Sequence, residues 1–314
     1  MFSLTGTVMI VDFFQGSVRY MTPIMLTALG LLIAERSGVI NIGIEGTMLV
    51  GAFTGFAVAS VTGSLWIGML LAILAGVLVN LIFAYAVISL RAPQVVVGTA
   101  INILCLGITG FLFRGLFTGA KVIGPVSIPT FQKFPIPLLS SIPFLGEIFF
   151  NQNIIVYMSL VAVLVIHYVL FRSAVGIKII AVGEHPRAAE SLGISVLKVR
   201  YLSVMFSGAM AGLGGAFLTI AHANTFVENM TSGRGFIALA VSIMGRRTPI
   251  GVFLGGLLFG GANALQLRIQ SLGLEIAYDL ILMIPYIFTI IAVTIFSRNQ
   301  IDAPSSLGVP YEKS

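Results

Sequence analysis

The sequence has few charged residues, one cysteine and three histidines, and each scarcity excludes a class of protein. Asp, Glu, Lys and Arg make up 9% of the 314 residues, whereas about 25% is usual in soluble domains. A soluble fold of this length cannot cover its surface with so few charges. Disordered, coiled-coil and collagen-like chains are excluded by the same composition. Cys105 lies in an apolar run, so no disulfide framework or thiolate metal cluster is expected.

Motifs for catalysis are missing as well. The chain contains no G-x-x-x-x-G-K-[ST] and no H-E-x-x-H, and its histidines are dispersed. Tyr278-Asp279 matches half of an intramembrane aspartyl protease signature, but the Gly-x-Gly-Asp half is absent. We therefore predict no catalytic residue, no metal site and no cofactor. Any ATP hydrolysis must come from another chain.

Long uncharged runs dominate what is present. Hydrophobic residues make up 58% of the chain, and the mean hydropathy is +1.07. Since a spanning helix needs about 20 mostly apolar residues, the runs predict an all-α polytopic membrane protein with nine spans. Residues 1–18 are weakly amphipathic and are expected to be interfacial. The runs are 20–34, 46–90 (two spans joined at Thr62-Gly63-Ser64), 92–113, 148–171, 201–221, 235–245, 248–267 and 280–297.

The loops between these runs predict the orientation. One set of loops carries eleven Lys and Arg residues, and the opposite set carries six. The richer set includes loop 172–200 and the tail 298–314, which the positive-inside rule places in the cytoplasm. No basic segment precedes the first apolar run, so no cleavable signal peptide is predicted.

An internal repeat is visible at an offset of 183 residues. Residues 67–82 align with 250–265, pairing Gly68 with Gly251 and Asn80 with Asn263. The same offset carries Asn41-x-x-x-Glu45 onto Asn224-x-x-x-Glu228, although apolar segments also match by chance. Five predicted spans separate the two copies, so the halves would be inverted, as in many transporters. The predicted organisation is a single permease domain, 1–314, with repeat one (about 20–114), a linking span (148–171), loop 172–200, repeat two (about 201–297) and the tail.

Polar residues at membrane depth mark the candidate pathway. Segment 35–46 places Asn41 and Glu45 among glycines between two apolar spans. Backbone that leaves a helix inside a membrane must be satisfied by protein or line a wet cavity. A role in holding a broken helix is favoured over direct contact with a substrate, and a simple turn in which Glu35 and Arg36 neutralise each other is the alternative. The remaining candidates for the pathway or the broken segments are Asn102, Asn224, Glu228 and Asn263.

Within loop 172–200, residues 183–194 predict a short helix, which we call the coupling segment. Pro186 suits the first helical position and Gly193 suits the stop. So short a helix is unstable alone in water and needs a partner surface. That surface is either a separate protein or the chain's own membrane domain. For a separate protein, the small side chains of Ala188 and Ala189 would permit close approach.

Two motifs carry a resemblance to a known family. The segment GEHPRAAESLGI, 183–194, resembles the coupling helix of ABC importer permeases that handle ribose-type sugars, branched-chain amino acids and nucleosides. The segment ERSGVINIGIEGTMLVGAF, 35–53, resembles the nucleoside-type branch more narrowly, and the likeness extends over about 19–298. The resemblance implies inverted helical bundles and an ATPase-coupling role for nine residues: Gly183, Glu184, His185, Pro186, Arg187, Ala188, Ala189, Gly193 and Ile194.

The resemblance also implies partners and a location. A cytoplasmic ABC ATPase, a second related permease subunit and an extracytoplasmic substrate-binding lipoprotein are expected, together with membrane lipid and no nucleic acid. The expected location is the bacterial inner membrane, and the expected substrate is a nucleoside of the purine class. Sugar permeases of the superfamily carry a GGIDLS-type segment where this chain has SGVINIGIEG. The alternatives are a sugar or branched-chain amino acid permease, an ion-coupled secondary transporter and an intramembrane enzyme.

Overall fold

The described structure is helical apart from one small hairpin. The computed structural model describes residues 2–117, 127–137, 139–140, 142–271, 280–281, 283–296 and 303–312. Tyr278 and Asp279 lie outside these ranges, as do parts of the predicted loop 114–151, of the last predicted span and of the tail. The α-helices are α1 Phe2–Arg36, α2 Ile44–Thr62, α3 Leu65–Ala84, α4 Gln94–Phe117, α5 Leu145–Phe149, α6 Ile154–Arg172, α7 Ala174–Glu184, α8 Pro186–Ser191, α9 Val196–Phe217, α10 Arg234–Met244, α11 Pro249–Ser271 and α12 Ile284–Phe296.

Seven helices in the described ranges are long and apolar enough to cross a membrane. They are Met9–Arg36, Ile44–Thr62, Leu65–Ser89, Gln94–Phe117, Ile154–Arg172, Val196–Ala223 and Pro249–Ser271. The predicted run 235–245 coincides with a shorter apolar helix, α10, and the described part of the run 280–297 contains α12. Each predicted run therefore contains a helix, although residues 151–153 of the run 148–171 form a strand. The predicted turn at Thr62-Gly63-Ser64 joins α2 to α3.

Helix α1 differs from the sequence expectation. Residues 1–18 are not a separate interfacial stretch, because one helix runs from Phe2 to Arg36. Asp12 lies on an exposed position and does not interrupt it. Pro23 is inside the helix, and the hydroxyl of Thr27 donates to the Pro23 carbonyl at 2.9 Å. The hydroxyl bond does not replace the one that proline removes, because proline has no N–H and it is the carbonyl of Arg19, four residues earlier, that lacks its usual helical donor.

Helices α1 and α9 form the centre of the bundle, and small residues allow the close packing there. Helix α9 packs on α1, α2 and α3, while α11 packs on α1. At the α3–α9 crossing, a Cβ on Gly76 would collide with the Gly208 carbonyl, and one on Gly212 would collide with the Ala72 carbonyl. Glycine is therefore required where these helices cross, as is common in membrane bundles.

Two breaks interrupt the spans inside the bundle. Residues 37–43 leave the helix between α1 and α2, and Gly38 has φ +93°. Helix α9 continues as a π-helical segment, Leu218–Ala223, and residues 224–233 then separate it from α10. At one end of the bundle, strands β1 Lys133–Pro135 and β2 Asn151–Asn153 pair antiparallel. We call this end the hairpin end and the opposite one, which carries α7 and α8, the α8 end.

Candidate functional site

The N-termini of α2 and α10 meet inside the bundle around Glu45. Glu45 is in the first turn of α2 and is 8% exposed. Its carboxylate accepts hydrogen bonds from Gly233 N (2.8 Å) and Gly235 N (2.6 Å) at the start of α10. Unpaired N–H groups and the helix dipole make a helix N-terminus favourable for an anionic group. Helix α10 has eleven residues, about 16 Å, which is roughly half the thickness of a bilayer core.

Asn41 and Asn80 form a buried amide pair beside this junction. Asn41 Nδ2 donates to Asn80 Oδ1. Asn80 Nδ2 in turn donates to Thr47 Oγ1 at 3.0 Å and to the Gly76 carbonyl at 3.2 Å. All three polar side chains are at most 1% exposed. The network ties the break to α2 and α3.

Asn102 holds the break from the other side. Its Oδ1 accepts from Gly46 N at 2.8 Å, and its Nδ2 donates to the Ile42 carbonyl at 2.9 Å. These are backbone groups that the interruption of the helix leaves unpaired. The structure thus brings together Asn41, Glu45 and Asn102 of the predicted pathway residues, and their contacts serve the broken helix.

The other three predicted residues lie in different settings. Asn224 is exposed with φ +54°. Glu228 is 43% exposed and lies 3.7 Å from the Arg114 guanidinium on α4. Asn263 donates to the Phe259 carbonyl of its own helix at 2.9 Å. None of the hydrogen bonds among described residues connects these three to the Asn41 network.

A second polar group at membrane depth was not singled out from the sequence. The rings of Tyr20 on α1 and His222 at the end of the π-helical segment meet edge to face at 5.2 Å, and Phe217 stacks on His222 at 6.4 Å. Arg19 and Arg234 are close enough to act electrostatically on Tyr20 and His222. We call Arg19, Tyr20, His222 and Arg234 the arginine–aromatic cluster. In the sequence, Arg19 and Arg234 each directly precede an apolar run. This position could have indicated the cluster, but the prediction of orientation treats both arginines as loop charges.

Glu35 forms an ion pair across the bundle with Arg247. It is 1% exposed, lies 3.0 Å from Arg247 and accepts from Ser242 Oγ at 2.8 Å. Arg36 instead donates from Nε to the Arg247 carbonyl at 3.0 Å. Glu35 and Arg36 therefore do not hold the turn alone, because Glu35 also pairs with Arg247 while Arg36 acts electrostatically on the same carboxylate. These contacts join the end of α1 to the turn between α10 and α11.

The coupling segment contains the predicted helix, α8, with Pro186 at its first position. Gly193 follows it with φ +80°, a conformation that suits glycine at a helix stop. His185, Arg187 and Ala188 are exposed, whereas Ala189 is 3% exposed and packs with Val182, Val196 and Tyr311. The chain itself therefore covers the Ala189 methyl group, whereas Ala188 is open, and the role of these residues in ATPase coupling stays a prediction. Leu192, directly after α8, is 82% exposed and is not among the nine coupling residues predicted from the sequence.

The remaining coupling residues face the bundle or its C-terminal segment. A Cβ on Gly183 would collide with the Arg36 carbonyl, so the end of α7 packs directly on the end of α1. The Glu184 carboxylate accepts from Ser305 N at 3.2 Å, and Ile194 is half-buried. The inner side of the coupling segment therefore packs on its own chain, and its outer side is exposed.

Comparison with known proteins decides the family. A family model described as "Branched-chain amino acid transport system / permease component" matches residues 14–293. The chain belongs to this permease family. It is accordingly a multi-pass membrane permease, and the resemblance stated from its two motifs is confirmed.

Relatives over nearly the whole chain agree. The guanosine ABC transporter permease protein NupQ of Bacillus subtilis is 43% identical over 95% of each chain. The nucleoside ABC transporter permease protein NupC of Lactococcus lactis is 36% identical over 94% of this chain and 95% of its own. The putative glucose ABC transporter permease protein TsgC13 of Haloferax volcanii is 40% identical over 83% of this permease and 79% of its own length. No solved structure gives a significant match. The expectation of a non-catalytic permease subunit of an ABC transporter is confirmed by these relatives.

Proposed function

We propose that this permease is one of two related membrane subunits of an ATP-driven importer for purine nucleosides. The observation that carries the substrate class is the 43% identity to a guanosine permease over 95% of both chains. A glucose permease relative at 40% identity covers a smaller share of each chain, and sugar is therefore the second candidate. The polar network around Glu45 would hold the interrupted helices of such a permease in place.

The arginine–aromatic cluster is the proposed contact for the nucleoside. His222 is exposed and Tyr20 and Arg234 are partly exposed in the single chain. Arginines at membrane depth do not face lipid but line aqueous paths or subunit contacts. Aromatic rings and guanidinium planes stack on a base, and guanidinium N–H groups donate to base and ribose oxygens. The cluster therefore offers an uncharged, flat and polar substrate both kinds of contact.

Inverted repeats would supply the two gates of alternating access. The packing supports this proposal, because α3 lies on α9 as α11 lies on α1, and α2 contacts α9 as α10 contacts α1. Gly68 approaches the preceding helix α2, and Gly251 approaches the end of α10. Asn80 and Asn263 each donate to the carbonyl four residues earlier. The Asn41 and Asn224 segments differ in backbone, so this part of the proposed repeat has diverged.

The proposed partners follow from the family and the open side of the coupling segment. A cytoplasmic ATPase would bind α8, a second related permease would complete the pathway, and an extracytoplasmic binding lipoprotein would deliver the nucleoside. Bacillus subtilis has a second guanosine permease protein, NupP, 28% identical to this chain, which supports a heterodimer. The α8 end and the C-terminus are proposed to be cytoplasmic in a bacterial inner membrane, with nine or ten spans in all.

The test is uptake by cells that lack this permease. Uptake of radiolabelled guanosine and adenosine should fall at least tenfold relative to the parent strain, while glucose and leucine uptake should stay unchanged. Expression of the intact permease from a plasmid should restore nucleoside uptake. Loss of glucose or leucine uptake with normal guanosine uptake would contradict the nucleoside assignment.

A further inference from the structure

We propose that residues 303–312, which we call the C-terminal strap, orient the coupling segment and transmit its displacement to the break between α1 and α2. The proposal rests on the proposed function in one respect, the role of α8 as the contact with an ATPase. The proposal adds the C-terminal strap to the contact that α8 makes, and it describes how a movement of α8 would reach the membrane domain.

The strap first binds the end of α7. Ser306 donates to the Gly183 carbonyl from both its backbone N (3.0 Å) and its Oγ (2.6 Å). The backbone N of Ser305 donates to the Glu184 carboxylate at 3.2 Å, and its hydroxyl donates to the Glu184 carbonyl. The carbonyls at the end of α7 thus find their partners in the strap, as the open end of a helix requires.

The strap next covers the inner side of α8. The ring of Tyr311 is buried against Val182, Ala189 and Val196, and its hydroxyl donates to the Glu190 carboxylate. Helix α8 has six residues, too few to persist without tertiary contacts. Its orientation therefore depends on the strap as well as on α7 and α9. An open groove of about 600 Å³ lies between α8 and the strap, lined in part by His185, Ala188 and Tyr311.

The same strap residues are bound to the break through Arg200. This arginine on α9 is 2% exposed. Its Nε donates to the Ser37 carbonyl at 3.2 Å, its Nη1 to the Val309 carbonyl at 3.1 Å and its Nη2 to Ser306 Oγ at 3.2 Å. Gly308 N also donates to the Gly38 carbonyl at 3.0 Å. One guanidinium therefore joins the strap to the first residue after α1.

The geometry forms a continuous route. Movement of α8 would displace Tyr311 and Ser306, and Ser306 shares Arg200 with Ser37. The break then leads within a few residues to Asn41 and Glu45, which hold α3 and α10. A Cβ atom at Gly38 would lie 2.8 Å from both Arg200 Nη2 and Ser306 Oγ. The backbone of the break therefore packs closely against both side chains.

The experiment uses the transport complex that co-purifies with this permease, in wild-type form and with Tyr311→Phe or Ser306→Ala. Amide hydrogen exchange across 183–194 should become roughly tenfold faster, because each change removes a hydrogen bond to the coupling segment. In proteoliposomes, nucleoside molecules imported per ATP hydrolysed should fall several-fold, while the ATPase stays bound. Tyr168→Phe, which changes a 65% exposed tyrosine on α6, is the matched control and should change neither quantity.

Each outcome decides a separate claim. Unchanged exchange across 183–194 in both variants would overturn the strap as a support of the coupling segment. Faster exchange with an unchanged ratio of transport to hydrolysis would overturn the transmission route. If the wild-type complex shows no ATP-dependent nucleoside uptake, the proposed function fails, and the exchange measurement still tests the strap.

Discussion

At the scale of single residues, Glu45 and Glu228 show that the same side chain contributes differently to stability in two surroundings. Glu45 is buried and accepts two backbone hydrogen bonds from the start of α10, whereas Glu228 is 43% exposed beside Arg114. A hydrogen bond to a charged group contributes about 1.5–3 kcal/mol, whereas an exposed ion pair contributes about 0–1 kcal/mol. The surroundings of the two glutamates therefore predict a larger contribution to stability from Glu45 than from Glu228.

Glu45→Gln should destabilise the purified permease by about 2 kcal/mol, because the amide keeps one acceptor oxygen and loses the charge. Thermal unfolding in detergent measures this, and uptake should fall at least tenfold. Glu228→Gln is the matched control and should stay within about 1 kcal/mol of the wild type. Equal effects of the two substitutions on stability would contradict the assignment of Glu45 to the junction of α2 and α10.

At the scale of elements, local pattern predicted more than long-range pairing. The apolar runs gave the helices, the glycines of 35–46 indicated the break, and Pro186 and Gly193 located α8. Contacts between distant segments could not be inferred in this way. Glu35 pairs with Arg247, which is remote in sequence. Ala189 is buried partly by Tyr311 from the C-terminal strap, and no local periodicity reveals such a cover.

The exposed side of α8, together with Leu192 at its C-terminal end, should bind the ATPase. An exposed leucine that becomes fully buried in a protein interface contributes about 1.5–3 kcal/mol through the apolar surface removed from water. Leu192→Asp should reduce the amount of ATPase that co-purifies at least tenfold, and Ala188→Arg should act in the same direction. Leu192→Met conserves volume and polarity and serves as the control. Normal ATPase recovery with Leu192→Asp and Ala188→Arg would exclude this face as the docking surface.

At the scale of the whole molecule, the orientation depends on the distribution of Lys and Arg among the loops. Ser191 at the α8 end and Ser127 in the segment that precedes β1 are both exposed. With Cys105 replaced by Ser, a cysteine introduced at Ser191 should react with an impermeant maleimide only after the cells are opened. One introduced at Ser127 should react in intact cells. The reverse pattern of labelling would invert the proposed topology and move the coupling segment away from any cytoplasmic ATPase.

Import driven by ATP and specific for nucleosides is the central claim. The most direct measurement is guanosine uptake into proteoliposomes that contain the complex purified through a tag on this permease. The account predicts uptake that requires ATP, stops when hydrolysis is blocked by vanadate, and is absent when this permease is reconstituted alone. Guanosine uptake by the permease alone, driven by a proton or sodium gradient without ATP, would contradict the account and indicate a secondary transporter.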